Sequence, residues 1–172
     1  CGKSTLIQAV LQQINYFGKM HFHSTRLSPC NIYNRWPQGG IQVMFQHVRS
    51  SFSPHHTLEI IDKEPLTNTK IFYDLIRKFH ISLPEKKTTI LDIPTDVLSV
   101  IAFCRIMARK PGLILLDEPT NNLPQPWKNT LIQILQDAHV ATLVISHDVT
   151  LLQKICSKVY CLQDKKLKPY YA

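Results

Sequence analysis

An α/β fold, a mostly parallel sheet with helices on its faces, is what three stretches of this 172-residue chain predict. The first is Leu113-Ile114-Leu115-Leu116-Asp117-Glu118-Pro119-Thr120-Asn121, where a run of branched apolar residues ends abruptly in two adjacent carboxylates. Such a run reads as a buried parallel strand that delivers acids at its C-terminal edge, where open α/β sheets bind ligands. The second is Gly2-Lys3-Ser4-Thr5, which opens an apolar-periodic segment from Leu6 to Leu11 and so reads as a loop entering a helix. The third is Ala141 to Ser146, a further apolar strand followed by His147 and Asp148. Its end lies at the same sheet edge as Glu118.

The chemistry of these stretches points to phosphate. Asp117 is suited to hold Mg²⁺ through its water shell, and Glu118, one residue on, to orient or deprotonate a water attacking a terminal phosphate. Gly2-Lys3-Ser4-Thr5 has the form of the tail of G-x-x-x-x-G-K-[S/T]. In that motif Lys3 reaches the β- and γ-phosphates, Ser4 ligates Mg²⁺, and the amides of Gly2 to Thr5 at a helix N-terminus hold phosphate oxygens. The first glycine and the preceding strand are expected upstream of Cys1. The fold is thus expected to be a P-loop core without its N-terminal strands, and the chain as written to bind ATP poorly.

In chain order, Ser4 to Gln13 is expected to be an amphipathic helix and Lys19 to Ser24 a strand with His21 and His23 on one face. No Cys, Asp or Glu at suitable spacing makes those histidines a metal site. Arg26 to Gln38, with Pro29 and Pro37, reads as a loop, and Ile41 to Phe45 as a strand leading to Gln46. His55-His56 sits in a polar loop. Helices are expected over about 58–64 and 70–80, with Ile71, Leu75, Ile76 and Phe79 at helical spacing. Another carries Val97, Ile101, Cys104 and Ala108 on one apolar stripe up to Pro111-Gly112. Trp127 to Asp137 and Val149 to Cys156 follow as helices, and Val159 to Leu162 with Lys166 to Tyr170 as a closing hairpin.

Composition fits one compact domain, with 44% hydrophobic and 19% charged residues. No stretch approaches the roughly 20 apolar residues that span a bilayer. The cysteines have no C-x-x-C spacing, and Cys30, Cys104, Cys156 and Cys161 mostly sit in apolar surroundings, so reduced thiols in a cytosolic protein are expected. The formal charge of +8 could suggest nucleic acid. Its basic residues are dispersed, however, with short clusters only at Lys86-Lys87 and Lys165-Lys166 and no interleaved aromatics, so a solvated face near an anionic membrane is the better reading and no nucleic acid is expected.

Taken together, the Gly2-Lys3-Ser4-Thr5 tail, Gln46 after its strand, the strand ending in Asp117-Glu118, and Val144-Ile145-Ser146-His147-Asp148 resemble the nucleotide-binding subunit of an ABC transporter, from Cys1 to about Lys168. The stretches Val43 to Gln46, Ser50 to Pro54 and Glu64-Pro65-Leu66 are similar to its oligopeptide, dipeptide and nickel importer branch. The resemblance implies a partial nucleotide-binding domain over 1–172, with a helical subdomain at about 55–110 inserted in the ATPase core. It implies hydrolysis of ATP with Mg²⁺, in the cytoplasm at the inner face of the membrane, beside integral-membrane permease subunits. Catalytic roles fall on Glu118, His147 and Gln46, phosphate binding on Gly2, Lys3, Ser4 and Thr5, and Mg²⁺ on Ser4, Gln46 and Asp117. Ser146-His147-Asp148 is no nucleophilic triad, because adjacent residues on one backbone do not point at each other.

The family pattern fails at two places. Counting back from Asp117, the glycine-rich signature that opens a helix and binds the opposite subunit's γ-phosphate falls on Ile93-Pro94-Thr95-Asp96-Val97. Pro94 lacks an N–H, Asp96 sets a carboxylate against an anion, and the glycines are gone. Pro124 stands where the family has the aspartate that crosses to the other subunit. The elements acting within one chain are kept and those acting across a dimer are lost, so a heterodimer with a second ATP-binding subunit is expected. A soluble translation-associated ABC protein, a non-catalytic nucleotide-binding partner and an inactive remnant are the alternatives.

Overall fold

The computed structural model describes residues 2–22, 24–28, 40–164 and 166–170. Its centre is a three-stranded parallel sheet in the order β3 (Ile41–Met44), β4 (Leu113–Asp117), β5 (Ala141–Ile145). Met44 pairs with Leu116, and Asp117 with Ile145, so all three strands end at one edge. β4 lies between the other two and, beyond Leu113, is buried along its whole length. Its period-two pattern then feeds two cores: Ile114 and Leu116 join the larger one, while Leu115 joins a smaller one with Ile7, Leu11, Leu27, Ile41 and Ile145.

α1 (Lys3–Val10) covers the smaller core through Ile7, with Val10 packed against it. It stops short of the expected Gln13 because Gln12 takes a left-handed φ of 60° and donates its side-chain amide to the Tyr16 hydroxyl at 2.8 Å. A two-residue strand β1 (His21–Phe22) pairs antiparallel with β2 (Thr25–Arg26), so Arg26 belongs to a hairpin rather than to the loop the sequence suggested. His23, Pro29, Cys30 and Pro37 lie outside the described residues.

The larger core is built by a 3-10 helix (Val48–Ser51), α2 (Ile60–Lys63), α3 (Thr69–Lys78) and α4 (Thr95–Ala108). α3 starts where the Asn68 side chain accepts from the Ile71 N–H at 3.0 Å, a standard N-cap. α4 differs from its expected single stripe. From Leu98 to Ala108 every residue except Arg105 and Met107 is buried, since the helix is wedged between α3, the 3-10 helix and β3. Its one inward charge is answered: Arg105 grips Glu64 through Nε at 2.9 Å and Nη2 at 2.6 Å, and Arg109 pairs with the same carboxylate. Arg109 also donates to Gln42 Oε1 at 3.0 Å, tying α4 to β3.

α5 (Gln125–Asp137) carries the chain from β4 to β5 and starts two residues earlier than the expected Trp127, with Pro124 at its N-cap. α6 (Val149–Ile155) follows β5, and β6 (Tyr160–Gln163) closes on β7 (Lys166–Pro169) as an antiparallel hairpin. Of the described cysteines, Cys104 is buried while Cys156 and Cys161 are half-buried.

Candidate functional site

The parallel register brings four chain segments to the C-terminal edge of the sheet. β4 ends at Asp117, and Glu118 follows with its N–H donating to Ile145 O of β5 at 2.8 Å. Glu118 has a φ of 51°, a left-handed conformation that costs a residue with a Cβ about 1 kcal/mol or more. The turn holds because its side chain is fixed from β5: Ser146 Oγ donates to Glu118 Oε2 at 3.1 Å and the His147 N–H donates to the same oxygen at 3.3 Å. The other oxygen, Oε1, is buried and has no hydrogen-bond partner among the described residues. A buried carboxylate oxygen left open in this way costs free energy, so it marks a place where a ligand or water is to be received.

A lysine and a histidine stand over that oxygen. Lys3, at the start of α1, places Nζ 3.9 Å from Glu118 Oε1 and donates to His147 Nε2 at 2.7 Å. His147 Nε2 is 3.7 Å from the same Oε1, with its side chain 80% exposed. Gly2, at the N-cap of α1, has a φ of 80°, which a glycine adopts freely, and no side chain caps the helix. The first-turn amides of α1 therefore face outward as anion donors beside Lys3. Ser4 and Thr5 are exposed in that turn. A groove of about 870 Å³ runs from Gly2, Lys3 and Thr5 along β5 to Ser146 and on to α6 and the hairpin.

Of the residues singled out in the sequence, Lys3, Glu118 and His147 meet in space. Asp117 is buried at the end of β4, next to Glu118 in sequence. Gln46 is exposed two residues beyond Met44, at the same edge by register, and forms no hydrogen bond with the three among the described residues. The stretch from Ile93 to Val97 belongs elsewhere, at the entry to α4. There Ile93 is buried in the larger core, Pro94 occupies the N-cap, and Asp96 Oδ1 accepts the Val97 N–H at 2.8 Å.

Sequence reasoning gave Ser146 no role, yet its hydroxyl both holds Glu118 and accepts the Asp148 N–H at 3.0 Å. Asp148 in turn caps α6 by accepting from Leu151 N at 3.0 Å. The signal was present in Ser146-His147-Asp148 ahead of Val149, a polar cap before a helix, which fixes the direction of the residue preceding it.

The donors fit a magnesium nucleotide. Open amides and Lys3 suit phosphate oxygens, the Ser4 hydroxyl and the Asp117 carboxylate are hard oxygen ligands, and the open Glu118 Oε1 suits a water. Mg²⁺ keeps several waters and takes only one or two carboxylates beside phosphates, so a cage of protein ligands is not required.

The chain is similar to several known proteins. The chain is 33% identical to the uncharacterized ABC transporter ATP-binding protein YejF of Escherichia coli over 95% of its own length and 34% of YejF. It is 24% identical to the nickel import ATP-binding protein NikE of Shigella flexneri, over 97% of this chain and 68% of that one. It is 27% identical to the nickel import system ATP-binding protein NikE of Staphylococcus aureus strain USA300, over 95% and 71%. The chain thus spans about a third of the first relative and about 70% of the others. Its fold superposes on the ATP-binding cassette MJ0796, solved as a dimer bound to ADP and Pi, with a TM-score of 0.75 at 17% identity, over 97% of this chain and 78% of that one. A second dimeric structure of MJ0796 gives 0.77 at 18%, over the same shares. The sequence profile of the family described as ABC transporter matches residues 1–121, more than half of the chain, which therefore belongs to the ABC transporter family.

Proposed function

We propose that this chain is the ATP-binding part of a membrane transporter, and that it hydrolyses ATP at the site built on Lys3, Glu118 and His147. The observation that carries the reading is the buried, unpartnered Glu118 Oε1 beneath two basic side chains at the mouth of the phosphate-binding turn. Lys3 and the first amides of α1 bind the terminal phosphates, replacing the present Lys3–His147 contact. Ser4, Asp117 and Gln46 are the residues to hold Mg²⁺, which when bound neutralises charge on the β- and γ-phosphates. Glu118 orients a water and accepts its proton as the water oxygen bonds to the γ-phosphorus and the bridging oxygen departs with ADP. Ser146 keeps the carboxylate turned toward that water. His147, exposed and in reach of Lys3, contacts the γ-phosphate.

Import of nickel or a short peptide is the substrate reading, supported by likeness to proteins named nickel importers. Permease subunits, a place at the inner face of the membrane and a second ATP-binding subunit belong to the same reading. The second subunit is a different chain with an intact signature, because here the entry to α4 offers Pro94 without an N–H and a first-turn amide already taken by Asp96. The test uses the full-length protein with its partner subunits. Glu118→Gln should retain ATP binding and abolish turnover, since an amide cannot accept the proton, and Lys3→Ala should weaken binding itself. Unchanged hydrolysis in Glu118→Gln removes the assignment.

A further inference from the structure

Between the Gln46 segment and the entry to α4 there is a single side chain that neither site description uses. Arg49 lies within the 3-10 helix, three residues past Gln46. Its Nη1 donates to Ile90 O at 2.7 Å and to Leu91 O at 3.1 Å, and its Nη2 donates to Ile93 O at 2.8 Å and lies 3.5 Å from Thr95 Oγ1. One guanidinium thus takes three carbonyl acceptors, of Ile90, Leu91 and Ile93, in the turn that leads into Pro94 and the first residue of α4. Such bonds from a charged donor are the stronger class, and the planar fork sets their directions together. A lysine could satisfy one acceptor at a time.

The 3-10 helix is also held from its other end. Arg105 of α4 donates to Ser51 O at 3.0 Å while its guanidinium carbon sits 4.9 Å from the Phe52 ring centre. Val48 and Phe52 are buried in the larger core between these two arginines. The segment that follows Gln46 is therefore fastened to α4 both at its entry, through Arg49, and about three-quarters along its length, through Arg105.

From this geometry we propose that Arg49 is a positioning residue, which holds the Gln46 segment and the turn 90–95 together as one unit and so sets the place of Gln46 at the hydrolytic edge of the sheet. Its catalytic consequence rests on the ATPase reading above; its mechanical content does not. Hydrogen exchange of the nucleotide-free full chain tests the mechanical part. In Arg49→Ala the protected amides Ser50 and Phe52 on one side, and Ile90 and Asp92 on the other, should exchange faster together, by about tenfold, with β4 unchanged as the control for an intact fold. Arg49→Lys should give an intermediate rate on both sides. Acceleration on one side only, or on neither, overturns the proposal.

Turnover of the assembled transporter tests the consequence. Arg49→Ala should lower kcat roughly tenfold with KM for ATP unchanged, because Lys3 to Thr5 are untouched. Combined with Gln46→Ala it should add little to that variant alone, since both act through the same side chain. Additive losses, or a loss in KM only, overturn the positioning role. If the unmodified protein shows no hydrolysis, the functional reading fails by itself, and the exchange experiment still decides the linkage.

Discussion

Glu64 offers the most quantitative handle on this fold. Its carboxylate is 15% exposed, receives Arg105 in two-point contact, pairs with Arg109 and accepts from Thr67 Oγ1 at 2.6 Å. Burial by itself raises its pKa, but the hydrogen bonds from Arg105, Thr67 and Arg109 outweigh that and hold it at about 2 instead of 4.5. The folded pKa lies below the unfolded one, so the stabilisation is present in full above pH 4.5 and is lost as pH falls through the window from 4.5 to 2. The size follows from the shift: about 3 kcal/mol at neutral pH, falling to about 2 kcal/mol at pH 3.5 and about 1 kcal/mol at pH 3. The perturbation is Glu64→Gln, which keeps the shape and removes the titration. Urea unfolding of both proteins at pH 7, 4.5, 3.5 and 3 gives the difference in stability directly. At pH 7 the variant should be less stable by about 3 to 5 kcal/mol, because two buried guanidiniums also lose their counter-charge. The gap should then narrow by about 2 kcal/mol by pH 3. A gap that stays constant from pH 7 to pH 3 would show that the carboxylate is not held ionised by its two arginines, and refute the reasoning.

Two further outcomes can be checked. Cys104 is fully buried on α4 and burial pushes its thiol pKa far up, so an alkylating reagent at pH 8 should leave it unmodified in the folded protein and label it in urea. Introducing Pro94→Ser, Thr95→Gly, Asp96→Gly and Val97→Gln together should raise the slow ATPase rate of the isolated full-length protein by restoring donors across its own dimer; no gain despite ATP binding and dimerisation would count against the proposed pairing with a different subunit.

The edge of the sheet was readable in the sequence because its signals are local. Four apolar residues followed by Asp117 and Glu118 specify both burial and a charged end, and parallel register then carries Ser146 and His147 to the same place without any further information. Lys3 joined them because a glycine in left-handed conformation turns the chain directly into α1. What escaped was set by contacts distant in sequence. Arg49 reads as one more surface arginine until the turn at 90–93, some forty residues on, is folded against it. The all-round burial of α4 escaped for the same reason, since the helices and strand that cover it come from both sides of the sequence. The left-handed conformation of Glu118 has no residue signature at all; it follows from the hold that β5 has on its side chain.

On the reading proposed above, in which the entry to α4 stands in the place of the family's signature, the fold is kept without that chemistry. A helix N-terminus has unpaired N–H groups, and in a signature helix those groups serve a phosphate. Here Pro94 stands at the N-cap with no N–H to offer, Asp96 takes the Val97 N–H within its own first turn, and the Ser99 hydroxyl returns to Thr95 O at 2.8 Å. On the preceding turn, Arg49 supplies the donors that its carbonyls need, and Ile93 anchors it in the core. At the entry to α4 the Val97 N–H and the carbonyls of Ile93 and Thr95 are thus answered from inside the chain, and the Asp96 carboxylate in the first turn sets a negative charge against the positive end of the helix dipole, which stabilises α4 without an outside anion.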